Sequence, residues 1–195
     1  MAKRQKDSTK SIIIEAAWEL FYEQGYDETT VDQIIEKSAT SKGSFYHYFS
    51  SKDELLSTLS TLWDNKYEEL KQQFTDDMSS FDKLLFLNKE LFKMIDNSID
   101  EELLASLYSS QLTTKGQVHL LDQNRIYYQL LNEIVFEGQQ KGELSQKFSP
   151  FEITKMYALL ERAFIYDWCM CQGRYSLAEY SETWMPLLLD KIKQP

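Results

Sequence analysis

At 195 residues and 23.0 kDa, the chain is long enough to bury a core without disulfides or metals. Six glycines and three prolines are too few for sandwiches, barrels or Gly-rich phosphate loops. With 21 Lys+Arg against 31 Asp+Glu the net charge is −10, which on totals opposes a nucleic-acid partner.

The pattern is helical throughout. Ile13, Ala16, Ala17, Leu20 and Phe21 fall at helical spacing, so an amphipathic helix is expected from about Ser8 to Gln24, stopped by Gly25. Thr30 and Gln33 read as a capping box opening a short helix with Val31, Ile34 and Ile35 inward. Ser41 caps a second short helix that carries Phe45 and Phe49. Ser51 to Glu54 reads as another capping box. It opens a long helix through Leu55, Leu56, Leu59, Leu62, Trp63, Tyr67, Leu70 and Phe74. Helices follow over Phe81 to Ile95, Asp100 to about Leu112, and about Val118 to Gln140. Ser149-Pro150 and Ser176 start the last two. Pro186 falls inside the final helix, where a kink is expected. The fold class is therefore all-α, with about nine helices and no convincing strand. A three-helix head joins a larger helical body, divided as residues 1–52 and 53–195.

Two short helices joined by a tight turn and packed on a longer one form a helix-turn-helix, the geometry of a DNA-reading unit. The second short helix must be apolar on one side and polar on the other. Phe45 and Phe49 face inward, leaving Lys42, Ser44, Tyr46 and His47 outward. These side chains can donate to phosphates and base edges. Gly43 permits close backbone approach. Lys52 sits beside a helix N-terminus, itself attractive to phosphate.

The run Thr29-Thr-Val-Asp-Gln-Ile-Ile-Glu-Lys-Ser-Ala-Thr-Ser-Lys-Gly-Ser-Phe-Tyr-His-Tyr-Phe-Ser-Ser-Lys-Asp-Glu-Leu55 closely resembles the DNA-binding signature of the TetR family of one-component regulators. The resemblance covers roughly residues 8 to 56. It places Ser41, Lys42, Gly43, Ser44, Tyr46 and His47 on or at the start of the recognition helix. It also implies phosphate contacts from Thr30, Tyr46, Tyr48 and Lys52. Ala39 and Thr40 depart from the family's usual Gly and aliphatic residue at the turn. A left-handed backbone there costs a non-Gly residue about 1 kcal/mol, so a reshaped turn is expected. The basic arm of Lys3, Arg4, Lys6 and Lys10 either threads along DNA or is a solvated terminus.

Most aromatic residues lie in the body. Trp63, Tyr67, Phe74, Phe86, Phe92, Tyr108, Tyr127, Tyr128, Phe136, Tyr157, Phe164 and Trp168 fall mainly on apolar faces. Singly, each is a core residue; together they fit a cavity between helices. The resemblance implies an effector pocket here, and Trp63, Tyr67, Phe92, Tyr108, Tyr127, Asn132, Tyr157, Glu161 and Phe164 are its candidate lining. Asn88 and Gln129 are further polar candidates. The aromatic supply favours an aromatic or apolar small molecule.

The last two helices are apolar on two sides, and a helix with two stripes needs two partners. Ile153, Met156, Tyr157, Leu160 and Phe164 form one stripe, and Leu159, Ala163, Tyr166 and Met170 another. In the final helix Leu177, Tyr180, Trp184 and Leu188 are backed by Met185, Leu189 and Ile192. One face can meet the body and the other a second copy, giving a homodimer through a four-helix interface that includes Leu159, Ala163, Tyr166, Met170, Trp184 and Leu188.

Other chemistries lack their residues. His47 and His119 are far apart, and Cys169 and Cys171 at i, i+2 point apart, so no metal site is expected. No Ser or Cys has a plausible His partner, so no catalytic site, enzyme activity or cofactor is expected. No apolar run reaches the ~20 residues of a membrane span, and the polar N-terminus is not a secretory signal. A reduced cytoplasmic chain is the simplest reading. The expectation is a ligand-responsive, DNA-binding repressor that releases double-stranded operator DNA when a small molecule binds the body. The alternative is a helical ligand-binding or interaction protein that does not read DNA. Resolved along the chain, the charge supports the first reading. Residues 1–52 carry 7 Lys+Arg and 8 Asp+Glu, while residues 53–195 carry 14 and 23. From Lys37 to Lys52, both included, there are three lysines and no acid.

Overall fold

The first helix, α1 (Ala2–Gln24), ends where Gly25 takes a left-handed φ of +86° and closes the last turn. It begins nearer the terminus than the periodicity suggests. The structure, a computed structural model, describes residues 2–56, 58–113 and 118–194, with side chains from residue 9 onward except those of 61 and 62. Lys3, Arg4 and Lys6 of the expected basic arm lie outside the described side chains.

α2 (Val31–Lys37) is opened by the Thr30–Gln33 capping box, and α3 (Lys42–Tyr48) by Ser41, whose hydroxyl accepts from the Ser44 N–H. α4 (Lys52–Leu56) and α5 (Thr58–Lys71) lie on either side of residue 57 and correspond to the one long helix expected there. Glu54 accepts from the backbone N–H and hydroxyl of Ser50, just ahead of α4. α6 (Ser80–Ser98) starts from an unanticipated capping box between Ser79 and Asp82. α7 (Glu101–Thr113) follows.

α8 (Ile126–Gln140) begins later than expected. Only a single 3-10 turn forms over His119–Leu121. The Asp122 carboxylate then accepts from the Asn124 N–H at 2.9 Å, a local bond that competes with helix propagation. α9 (Pro150–Met170) has the expected Ser149–Glu152 capping box with Pro150 at its first position. α10 (Leu177–Leu189) continues as α-helix through Pro186, and a 3-10 turn over Asp190–Ile192 follows. Apart from one isolated bridge between Leu144 and Lys193, all regular structure among the described residues is helical.

Two compact units emerge. The first comprises Met1–Thr61 with Glu102–Leu120, the second Leu62–Glu101 with Leu121–Pro195. The core of the first unit holds the predicted stripe of α1, joined by Ile34, Phe45, Phe49, Leu55, Leu56 and Leu59. Full burial of a side chain such as Phe45 contributes about 1.5–3 kcal/mol. In the second unit α6 packs on α8 and α10, and α9 packs on α8 and α10. The close α6–α8 approach depends on Gly138. A Cβ there would lie 2.6 Å from the Ser80 Cβ.

Candidate nucleic-acid interface and effector region

In the first unit, the turn between α2 and α3 is closed by backbone bonds from Ser38 and Thr40 to Ile34 and Ile35. Ala39 adopts φ +50° within it. The turn is therefore not reshaped by the absence of glycine; alanine accepts the left-handed backbone instead. The Ser38 and Thr40 hydroxyls lie 2.8 Å apart and add a side-chain bond across the turn.

α3 has the polarity expected of it. Phe45 and Phe49 are buried, with ring centroids 5.8 Å apart. Ser41, Lys42, Gly43, Tyr46 and His47 are exposed; Ser44 and Tyr48 are half-buried. Tyr46 keeps half of its surface open although its ring edge packs on Phe45. A Cβ on Gly43 would meet only the Ser41 hydroxyl at 3.8 Å. Nothing among the described residues therefore requires glycine at that position. Thr30 is exposed, with its hydroxyl shared with Gln33.

The lysines of this face are not free charges. Lys37 bonds Glu23 at 2.9 Å and Glu19 at 3.1 Å, both on α1. Lys42 lies 3.3 Å from Asp32, with both side chains largely exposed. The acid-free stretch seen in sequence is thus partly neutralised by acids from other helices.

Lys52 is engaged within the head. Its ammonium donates to the carbonyls of Tyr26 at 2.6 Å and Thr29 at 2.7 Å, with a longer contact to Asp27. It also lies 4.0 Å from the Tyr26 ring centroid. The Tyr26 hydroxyl in turn donates to Asp53. These contacts tie the loop before α2 to the start of α4. Burial lowers its pKa from the ordinary lysine value.

In the second unit, the candidate effector residues converge on a buried carboxyl. Glu161 on α9 is 3% exposed. Its Oε2 accepts from the Tyr127 hydroxyl at 2.7 Å and from the Tyr67 hydroxyl at 3.5 Å. Its Oε1 accepts from Asn88 at 3.1 Å. Tyr157 is fully buried, and its hydroxyl donates to the Leu84 carbonyl at 2.9 Å. Burial raises the Glu161 pKa above the ordinary carboxylate value, against these hydrogen bonds and the nearby Arg162 charge. Trp63, Phe92 and Phe164 are buried in the same unit, and Phe92 and Phe164 meet edge to face.

Other candidates lie elsewhere. Asn132 is half-buried and bonded to Thr154 and to the Tyr128 carbonyl. Gln129 and Phe136 are exposed, because α8 buries the side carrying Tyr127, Leu130, Leu131 and Ile134. Tyr108 is half-buried in the first unit. Two features escaped sequence reasoning because their partners are distant in the chain. Arg125 grips Asp64 through Nε at 3.2 Å and Nη2 at 2.8 Å. Asp96 accepts from the N–H groups of Leu177 and Ala178 at the start of α10.

α9 and α10 each bury one stripe and expose another. Leu159, Ala163, Tyr166 and Met170 are exposed on α9. On α10, Leu177 joins Ala178, Ser181, Met185 and Leu189 inside, not Tyr180 and Trp184 as its spacing suggested. Tyr180, Trp184, Leu187 and Leu188 are exposed. Burial pushes the Cys169 thiol up to about 11, the opposite of a reactive thiolate. Among the described residues no cluster of His, Cys, Asp and Glu could hold a metal ion, and no helix is long and apolar enough to cross a membrane.

Comparison with known proteins matches this arrangement at both ends. Residues 13–59 match the model of bacterial regulatory proteins of the tetR family, and residues 63–191 match the C-terminal region of YsiA-like proteins. The chain belongs to the TetR family. It is a ligand-responsive, DNA-binding transcriptional regulator. It is similar to the fatty acid metabolism regulator protein of Bacillus subtilis, at 22% identity over 97% of this chain and 98% of that one. A second relative is the transcriptional regulator HbdR of Aromatoleum, 28% identical over 91% of this chain and 78% of its own length. Among solved structures, the TetR-family repressor FadR of Thermus thermophilus in complex with lauroyl-CoA superposes with a TM-score of 0.79. That match covers 93% of each chain at 24% identity. FadR of Bacillus subtilis in complex with stearoyl-CoA gives 0.71 at 23% identity, over 94% of this chain and 99% of that one.

Proposed function

We propose that this TetR-family regulator is a repressor that binds its operator as a homodimer and releases it when an acyl thioester of coenzyme A enters the body. It is not an enzyme, and it acts in the cytoplasm. Residues 1–52 read DNA, while residues 53–195 bind the effector and dimerise. The observation that carries the DNA half is the α3 face. Lys42, Tyr46 and His47 are exposed while Phe45 and Phe49 hold the helix from behind. A helix anchored in this way presents donors to a major groove. The effector class is supported by near full-length similarity to regulators named for fatty acid metabolism or solved with lauroyl-CoA and stearoyl-CoA. An acyl chain also meets the expectation of an apolar ligand.

The mechanism is a population shift. Two recognition helices must reach successive major grooves about 34–36 Å apart. In this reading the stretch that carries Lys52, Trp63 and Tyr67 transmits effector occupancy to the spacing of the heads. Release requires that the effector bind the DNA-incompetent state more tightly.

The test is a gel shift on the intergenic DNA beside the protein's own gene, with lauroyl-CoA as the probe. A salt-sensitive complex that dissolves on adding micromolar lauroyl-CoA is expected. Tyr46→Ala should weaken that complex at least tenfold while leaving the melting temperature unchanged. A complex indifferent to the thioester would overturn the effector class. Unchanged affinity in Tyr46→Ala would overturn the recognition-helix register.

A further inference from the structure

Several buried polar side chains of the second unit are hydrogen-bonded to one another or to the backbone. Asp64 is held by Arg125, Tyr157 by the Leu84 carbonyl, and Tyr67, Tyr127 and Asn88 by Glu161. Two buried side-chain polar atoms among the described residues have no hydrogen-bond partner, the Ser80 hydroxyl oxygen and Trp63 Nε1. Ser80 lies against Gly138, where a Cβ on the glycine would stand 2.6 Å from its own, so its side chain is held in the α6–α8 contact. The other atom without a partner is Trp63 Nε1. It is 5% exposed and lies one turn before Tyr67 on the inward face of α5. An unmade bond of this kind costs about 1–3 kcal/mol, which folding alone gives no reason to accept.

An indole N–H is a donor only, so its partner must offer an acceptor oxygen. Phe92 and Phe164, buried in the same unit, offer none. We propose that the Trp63 indole N–H is the donor for the thioester carbonyl oxygen of the effector. Trp63 is then the residue that distinguishes an acyl thioester from an apolar chain of equal length. The proposal rests on the acyl-CoA reading of the effector and sharpens it. The apolar chain supplies most of the affinity, and Trp63 reads the one polar atom that follows it. A site built to hydrogen-bond a carbonyl rejects the analogue lacking it, because the buried donor stays unpaired.

The experiment compares dodecanoyl-CoA with S-dodecyl-CoA, the thioether lacking the carbonyl oxygen, by calorimetry on the full-length protein. The wild type is expected to bind the thioester about tenfold more tightly, the loss of one buried hydrogen bond. In Trp63→Phe that preference should vanish while thioether affinity stays within twofold. Spectra of protein labelled with 15N-tryptophan supply a second readout that needs no altered fold. One indole N–H resonance, assigned to Trp63 by its absence in the variant, should move downfield with the thioester and not with the thioether. Equal affinities for the two compounds in the wild type, or an unmoved Trp63 resonance, would overturn the assignment and leave the effector class standing. If neither compound binds the wild type, the acyl-CoA reading fails and this one fails with it.

Discussion

Gly43 separates folding from recognition at a single residue. It occupies the second position of α3 with no left-handed φ and no neighbour closer than 3.8 Å to an added Cβ. Alanine is the better helix former by about 1 kcal/mol. Gly43→Ala should therefore raise stability by up to that amount in urea titrations. It should also weaken operator binding severalfold, because a methyl group would stand between the helix and the DNA backbone. A variant both more stable and unimpaired in gel shifts would mean that α3 does not approach DNA through this turn. Lys52 allows a similar separation. A phosphate contact and an internal clamp predict different losses. If Lys52 holds the Tyr26 and Thr29 carbonyls, Lys52→Met should lower stability by about 1–3 kcal/mol by stranding them. The slope of log affinity against log salt should then be unchanged. If it grips a phosphate, the slope should fall by about one unit for each head.

Across elements, legibility followed distance along the chain. Helix starts at Thr30, Ser41, Ser149 and Ser176 were readable because each cap bonds within three residues. The late start of α8 was hidden because Asp122 acts through a turn that the apolar periodicity of Leu120 and Leu121 masks. The commitment of Lys37 to α1 was equally hidden, since charge counted along the chain cannot show an acid contributed by another helix. Glu161 was named from its place beside an apolar stripe. That it sits under hydroxyls and an amide from α5, α6 and α8 depended on how four helices meet. This junction has a pH signature. An acid whose folded pKa lies above its unfolded value binds its proton more tightly in the native state. Stability is then fully present below the unfolded value of about 4.3 and falls as pH rises through the folded one. Tyr127 and Tyr157, whose pKa values are also raised, stay protonated throughout. Wild-type urea midpoints should therefore fall as pH rises above the unfolded value. Glu161→Gln, which keeps an acceptor for Tyr127, should flatten that dependence. Parallel pH profiles in the two proteins would show that burial does not govern this carboxyl.

For the whole molecule, the opening charge of −10 becomes a statement about distribution. The acidity belongs mainly to residues 53–195, and the α3 face is polar and weakly positive, not strongly basic. A head with so little free positive charge gains little from non-specific attraction, so one copy alone should hold an operator poorly. Joining two heads makes the second contact intramolecular and multiplies affinity by about 10²–10⁴. The proposed means of joining them is the apolar stripe of α9 and α10, where Leu159, Tyr166, Met170, Trp184 and Leu188 stand exposed. Because these side chains are not part of the chain's own core, charging them should leave its fold intact. Tyr166→Glu with Trp184→Glu should sediment as a monomer with a native melting profile in its helical signal. Its operator affinity should drop at least a hundredfold, while Tyr46→Ala stays dimeric and loses affinity through the groove contact alone. A double variant that sediments as a dimer and shifts operator DNA normally would place the subunit interface elsewhere and leave this apolar face without a role.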